Sequence, residues 1–237
     1  MKQRFWEIDF LRGVAIIMMV VFHFLWDLTF FTDIEIVLTY GFWDIFRVIT
    51  AFTFLFLAGM ALYLSTRGKP FVFLKLVRRG LFIFVLGLLI TAFSKIFFPA
   101  SYIAFGILHL IGVSIILAFF FLRFKYLNFL LGLIVILAGI ALGNYSFDIP
   151  FLFFLGFAPE NLITLDYYPV FPWFGVVLWG IGAGKILYAE RTRQFNLSLS
   201  GDGFLRRKLA FLGRHSLIIY FLHQPILFSF FYLLKVL

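Results

Sequence analysis

Long apolar runs separated by short polar segments dominate the pattern of this sequence. A helix needs about 20 mainly apolar residues to cross the roughly 30 Å hydrocarbon core of a bilayer. We therefore predict an all-α, polytopic membrane protein with about seven transmembrane helices in a single domain, residues 1–237. The predicted spans are residues 9–31, 43–66, 72–93, 103–122, 126–144, 172–188 and 210–234.

The composition supports the membrane assignment. Of the 237 residues, 64% are hydrophobic and 13% are charged, whereas soluble domains have about 45–50% apolar and about 25% charged residues. The chain has no cysteine, which excludes disulfides, thiolate nucleophiles and thiolate metal sites. Its net charge of +9 is more consistent with basic cytoplasmic loops than with nucleic-acid binding.

Basic residues fall into alternate loops, and this orients the predicted bundle. They group before the first span and between spans two and three, four and five, and six and seven. Cytoplasmic loops carry an excess of Lys and Arg. The pattern predicts a multi-pass protein of the cell membrane, with its N-terminus in the cytoplasm and its C-terminus outside.

Two connections are unusually long. The outer segment, residues 145–172, combines four prolines with the apolar run 151–157, and we interpret it as a re-entrant or interfacial cap over the bundle. The basic inner segment, residues 185–214, could bind an anionic lipid or a phosphorylated ligand. The pattern favours the simpler explanation, which is the ordinary excess of basic residues in cytoplasmic loops.

The first predicted span contains Arg12 and His23, eleven residues apart, or about 16 Å along a helix axis. Titratable groups inside a bilayer are costly, so they point to function. Asp27 follows on the face of His23 and could orient its imidazole as in a base–orienter pair. The alternatives are a structural hydrogen bond for His23 and a snorkelling Arg12 that reaches the lipid headgroups.

His109 and His223 lie at a similar predicted depth to His23, on two other spans. Three titratable groups in one layer predict a polar cavity inside the bundle. Three histidines could also bind zinc, but their spacing lacks the usual ligand pairs and we predict no metal. His215 lies near the cytoplasmic end of the last span, away from this layer.

Further polar groups flank these histidines. Asp44 and Arg47 are three residues apart, a spacing that favours a structural ion pair over a substrate contact. Tyr220 and Gln224 flank His223, and Pro225 removes a backbone donor. A kink there could shape a cavity.

Several motifs resemble known membrane acyltransferases. Arg12 and His23 resemble the arginine–ten residues–histidine motif of membrane acyltransferase family three. The whole chain is similar to the heparan-α-glucosaminide N-acetyltransferase catalytic-domain family in its compact prokaryotic form. The similar segments are residues 7–13, 22–28, 56–59, 105–113, 171–175 and 219–225.

This resemblance implies transfer of an acyl group from cytoplasmic acetyl-CoA, or another acyl-CoA, to an amine or hydroxyl on the far side of the membrane. His23 with Asp27 would act as general base or transient acyl carrier, and His223 would position the acceptor or stabilise the oxyanion. Arg12 and His109 would contact the coenzyme. Substrate-binding candidates are Arg47, Asp44, Trp173 and Gln224.

The partners that the resemblance implies are the lipid bilayer, acyl-CoA and a sugar or glycolipid acceptor, with a homodimer left open. Two other functions fit the residues alone. A proton-coupled transporter could use the histidine layer as a proton relay, although the sequence shows no symmetry between two halves. A non-catalytic module would keep its function when His23 is replaced.

Overall fold

The computed structural model describes residues 4–68, 72–147, 149–189, 192–196 and 203–236. Within these residues it is all-α, as predicted, with eight α-helices and one isolated β-bridge between Phe105 and Tyr167. The helices are α1 (Trp6–Phe31), α2 (Phe42–Thr66), α3 (Val72–Phe97), α4 (Ile107–Leu117), α5 (Leu127–Leu142), α6 (Val170–Leu187), α7 (Phe204–Arg214) and α8 (Ser216–Val236).

Five helices in the described part are long and apolar enough to cross a membrane. They are α1, α2, α3, α6 and the Ser216–Leu234 stretch of α8. The shortest of them has 18 residues, which gives about 27 Å at about 1.5 Å per residue. These five correspond to five of the seven predicted spans, and the orientation of the helices stays a prediction.

The other two predicted spans form shorter helices. Residues 103–122 yield α4 followed by a 3-10 turn at Ala118–Phe120, and residues 126–144 yield α5. The 16 residues of α5 extend roughly 24 Å, less than the hydrocarbon core. An apolar run does not show where a helix begins. Here Gly106 is the extended N-cap of α4, so the preceding apolar residues join a loop.

The prediction for the last span, residues 210–234, is wrong at its start. A break at His215, whose backbone is non-helical, separates α7 from α8. α7 is amphipathic, with Arg207 and Lys208 exposed beside Phe204 and Phe211. Such a helix is suited to lie along a membrane interface, whereas α8 has the length of a span.

Contacts between residues divide the chain into two compact units. The terminal unit comprises the described residues up to 57 and those from 203 onward, and the central unit comprises the described residues from 58 to 196. α2 contributes to both units. The sequence segments that resemble the acetyltransferase family occur in both units, and the single domain over residues 1–237 stays a prediction.

In the terminal unit, α1 packs against α7 and α8. α1 and α7 approach so closely that a Cβ on Gly13 would collide with the carbonyl of Leu209, and a Cβ on Gly213 with that of Asp9. Lipid is as apolar as the helices, so membrane helices associate through close packing, which small residues permit. The two glycines therefore fix how α1 meets α7.

In the central unit, α5 packs against α6 and α3 against α4. The loop before α6 contains a 3-10 helix at Pro150–Leu155 and folds onto the start of α4, where Asp166 Oδ2 accepts from the Ile107 N–H at 3.4 Å. The Tyr167 hydroxyl donates to the Phe153 carbonyl at 2.5 Å. Burial raises the pKa of Tyr167 to about 12, so the hydroxyl keeps the proton that it donates. The loop thus covers the start of α4, and a cap over the whole bundle stays a prediction.

Candidate functional site

Two of the predicted histidines meet in the terminal unit. α1 carries His23 and α8 carries His223, and their ring centroids are 4.8 Å apart with an interplanar angle of 70°. His223 is buried and His23 is half-buried. Two imidazoles from helices distant in sequence therefore share one place inside the unit.

Backbone carbonyls set the tautomer of both rings. His23 Nδ1 lies 2.9 Å from the Met19 carbonyl oxygen, and His223 Nδ1 lies 2.6 Å from that of Tyr220. A carbonyl can only accept, so each Nδ1 carries the proton and donates. In the neutral ring, each Nε2 then has a lone pair. His223 Nε2 is buried without a hydrogen-bond partner among the described residues.

Asp27 and Gln224 extend this pair. Asp27 is fully buried, and its Oδ1 accepts from Gln224 Nε2 at 3.4 Å. Asp27 Oδ2 and Gln224 Oε1 are both buried without a partner within the described part of the chain. The Met19 carbonyl, rather than Asp27, thus fixes the tautomer of His23. We call His23, Asp27, His223 and Gln224 the histidine cluster.

The histidine cluster has unused hydrogen-bonding capacity. Buried polar groups are almost always hydrogen-bonded, and an exception calls for an explanation such as a catalytic role or the binding of a ligand. Here three atoms, His223 Nε2, Asp27 Oδ2 and Gln224 Oε1, are all able to accept. The cluster is therefore suited to a ligand that brings hydroxyl or amine donors, and to removal of a proton from it.

His109 occupies a different environment in the central unit. Its Nδ1 accepts from the Gly106 N–H at 3.2 Å, which caps the start of α4. Its Nε2 lies 3.4 Å from Thr91 Oγ1, and that hydroxyl donates to the Ile103 carbonyl at 2.7 Å. Nε2 therefore carries the proton, so both ring nitrogens are engaged. A common layer with His23 and His223 stays a prediction.

The remaining candidates are distributed over both units. Arg12 is a half-buried residue of α1, and its contact with the coenzyme stays a prediction. Arg47 Nη2 and Asp44 Oδ1 form the expected ion pair at 2.6 Å, with both side chains more than a third exposed. Trp173 packs against Tyr168 in the central unit, with ring centroids 5.1 Å apart. A substrate contact of these three residues also stays a prediction.

Sequence reasoning missed some features of these sites. The carbonyls that orient His23 and His223 left no signal, because any helix offers them. The cap role of His109 did leave one, since a glycine three residues before a hydrogen-bonding side chain fits a helix start. Within the described residues, no group of three or more His, Cys, Asp or Glu side chains is arranged to hold a metal ion.

Comparison with known proteins gives one family. The family model described as "Heparan-alpha-glucosaminide N-acetyltransferase, catalytic" matches residues 4–225. This range includes every candidate site residue, and the match confirms the resemblance predicted from the sequence. No curated protein and no solved structure matches the chain.

Proposed function

This chain belongs to the heparan-α-glucosaminide N-acetyltransferase catalytic-domain family, and on that premise we propose that it acetylates a sugar or lipid-linked glycan across the membrane. The family is one of membrane N-acetyltransferases that depend on acetyl-CoA. In the proposed reaction the donor is cytoplasmic acetyl-CoA. The acceptor is an amine or hydroxyl on the opposite side.

The observation that carries the proposal is the pair of imidazoles with their Nδ1 protons committed to backbone carbonyls. This arrangement directs an Nε2 lone pair of each ring away from its own helix backbone. A general base needs an oriented lone pair within reach of the proton that it removes. Because the ring centroids are only 4.8 Å apart, both imidazoles can contact the same acceptor substrate.

The reaction requires one nucleophilic attack and the relay of one proton from the acceptor to the leaving group. The acceptor nitrogen or oxygen forms a bond to the acetyl carbonyl carbon, and the carbon–sulfur bond of the thioester breaks. His23 Nε2 takes the proton that the acceptor loses, and the leaving thiolate of coenzyme A receives it. A thioester is already activated, so bringing the two substrates together supplies much of the rate, about 7–11 kcal/mol in well-oriented systems.

The rest of the histidine cluster binds the acceptor in this proposal. Asp27 Oδ2 and Gln224 Oε1, which lack partners among the described residues, accept hydrogen bonds from its hydroxyl or amine groups. His223 is the second proton acceptor. Because its Nδ1 is already donating, it can stabilise an oxyanion only after its Nε2 is protonated.

The test is acetyl transfer by the purified full chain in lipid vesicles, with acetyl-CoA and a panel of amino sugars and lipid-linked glycans. We expect His23→Ala to lower turnover at least about 100-fold, the lower end of the usual contribution of a general base. The matched control is His215→Ala. His215 lies in the same unit and its Nδ1 donates to the Phe211 carbonyl at 2.9 Å, but its side chain is exposed.

Turnover of the His215 variant should stay near that of the parent protein. If His23→Ala keeps full turnover while the protein binds acetyl-CoA, the assigned base is wrong. If the protein neither binds nor consumes acetyl-CoA but moves protons with a solute into the vesicles, the transporter alternative replaces the proposal.

A further inference from the structure

A cavity of about 810 Å³ opens in the central unit, and none of the residues assigned to the reaction lines it. Its volume lies in the range of small-molecule sites, about 300–1,000 Å³. It is formed where α2 ends, α3 begins, α4 passes into the next turn and α6 ends. The lining residues are Tyr63, Thr66, Arg67, Val72, Phe119, Phe120, Leu122, Arg123, Lys125, Lys185 and Ala189.

Four cations line this cavity, which we call the basic cavity: Arg67, Arg123, Lys125 and Lys185. No carboxylate is among the described lining residues, and none of the four forms an ion pair in the described part of the chain. Such a concentration of positive charge, with no carboxylate among the lining residues that the structure describes, favours an anion.

The contacts of these cations leave donors available. Arg67 uses one Nη1 bond, to the Tyr188 carbonyl at 2.7 Å. Lys185 Nζ lies 5.8 Å from the centre of the Tyr63 ring, and Lys125 Nζ lies 4.8 Å from that of Tyr126. These cation–π contacts hold the stems in place and occupy no N–H group with an acceptor.

The wall of the basic cavity also has an apolar part. Phe119 and Phe120 are 38% and 58% exposed, and Val72 also lines the cavity. A ligand that combined negative charge with an apolar or aromatic portion would use both parts of the wall. Ordinary loop bias explains a basic segment, but not the convergence of cations from three parts of the sequence on one cavity.

We propose that the basic cavity binds the phosphate groups of a ligand through Arg67, Arg123, Lys125 and Lys185. Guanidinium groups recognise phosphate with paired N–H donors, and ammonium groups act as point charges beside them. Two sources carry this chemistry. One is the nucleotide end of a coenzyme A thioester, which rests on the proposed function. The other is the headgroup of an anionic phospholipid, for which basic pockets between membrane helices are suited.

The experiment measures binding to the purified full chain in a zwitterionic detergent by titration calorimetry. One probe is adenosine 3′,5′-bisphosphate, which has phosphates but no thioester. The other is a short-chain phosphatidylglycerol, with zwitterionic phosphatidylcholine of the same chain length as the comparison without net charge. Neither probe carries a thioester and no acetyl donor is present in the titration, so the result is independent of the assigned chemistry at His23.

Two variants remove cations from the basic cavity without touching the Arg67–Tyr188 bond. They are the double variant Arg123→Gln/Lys125→Gln and the single variant Lys185→Gln. The control is Lys75→Gln/Arg78→Gln, which removes two exposed cations of α3 that do not line the cavity. Thermal unfolding of each variant checks that it folds, and the single variant serves if the double variant does not.

We expect saturable binding of at least one charged probe, weakened tenfold or more by the double variant and within twofold of the parent in the control. Binding of the bisphosphate identifies the nucleotide as the source, and binding of phosphatidylglycerol alone identifies the lipid. Absence of saturable binding for both probes overturns the proposal. Equal weakening in the control also overturns it, because the effect would then be general surface charge. Failure here leaves acetyl transfer standing, and a failure of acetyl transfer leaves the phosphate site standing.

Discussion

The two units place histidine in opposite chemical situations. In the terminal unit, His23 and His223 each donate from Nδ1 to a carbonyl, and the buried Nε2 of His223 has no partner among the described residues. In the central unit, His109 accepts at Nδ1 from a backbone N–H and has Nε2 beside Thr91. A ring with both nitrogens engaged stabilises a fold, whereas a ring with an unused lone pair can accept a proton.

Burial alone does not separate these cases, since both His109 and His223 are buried. What separates them is the type of backbone group that faces Nδ1. A free N–H at a helix start gives one tautomer, and a carbonyl inside a helix gives the other. The position of a histidine along its helix therefore bears on the chemistry that it can perform.

The largest effect should come from removing both members of the imidazole pair. We expect His223→Ala, like His23→Ala, to lower acetyl transfer about 100-fold. The losses caused by removing groups that act together do not multiply. The double variant should then fall little below the poorer single variant. Turnover numbers from the vesicle assay test this. Multiplicative losses would mean that the two rings act independently.

His109→Ala should affect stability rather than chemistry. It leaves the Gly106 N–H and the Thr91 hydroxyl without their ring partner, and an unsatisfied buried group costs about 1–3 kcal/mol. We expect a lower free energy of unfolding, and we expect the folded protein to keep the KM of the parent for acetyl-CoA. Denaturant unfolding and initial rates measure the two. An increased KM at unchanged stability would instead support the predicted coenzyme contact of His109.

Asp27→Asn should weaken binding of the acceptor. The variant keeps the shape of the side chain but removes its charge, and a hydrogen bond to a charged group contributes about 1.5–3 kcal/mol. We expect KM for the acceptor to increase at least about tenfold, with a smaller change in kcat. Asp33→Asn, at an exposed carboxylate of the same unit, is the control. A loss of stability with unchanged KM would make Asp27 structural.

The smallest effect should follow from Thr91→Val. This variant removes the hydroxyl that lies beside His109 Nε2 and donates to the Ile103 carbonyl. We expect a loss of about 1 kcal/mol in stability, near the average for one hydrogen bond, and normal acetyl transfer. Unfolding curves measure the loss of stability, and turnover numbers show whether acetyl transfer is normal. Reduced turnover at parental stability would bring the central histidine into the reaction.

The sequence predicts the membrane class and the main spans because apolar length is a strong signal. It also places His23 and His223 at similar depth, since depth follows from counting residues along each helix. The predicted span 210–234 misses the break at His215, although Arg214, His215 and Ser216 interrupt the apolar pattern there. The basic run Arg206–Arg207–Lys208 was the local signal that α7 differs from a span.

Other features of the candidate sites depend on rotation and convergence, which counting does not give. Whether Asp27 faces His23 or Gln224 depends on how α1 is turned toward α8. Residue counting does not predict the basic cavity either, since Arg67, Arg123 and Lys185 come from three separate parts of the sequence. Each looks like ordinary loop charge until folding brings them to one wall.

The contact of Gly13 with α7 has a consequence for the reaction. A helix transmits a displacement at one end to the other, and His23 lies ten residues beyond Gly13, about 15 Å and nearly three turns away. A side chain at Gly13 or Gly213 would push α1 and α7 apart, and the displacement of α1 would move the His23 imidazole. A misplacement of about 1 Å can lower a rate about 100-fold. The alignment of the proposed base thus depends on two hydrogen atoms, where every other amino acid has a carbon, at two positions outside the histidine cluster.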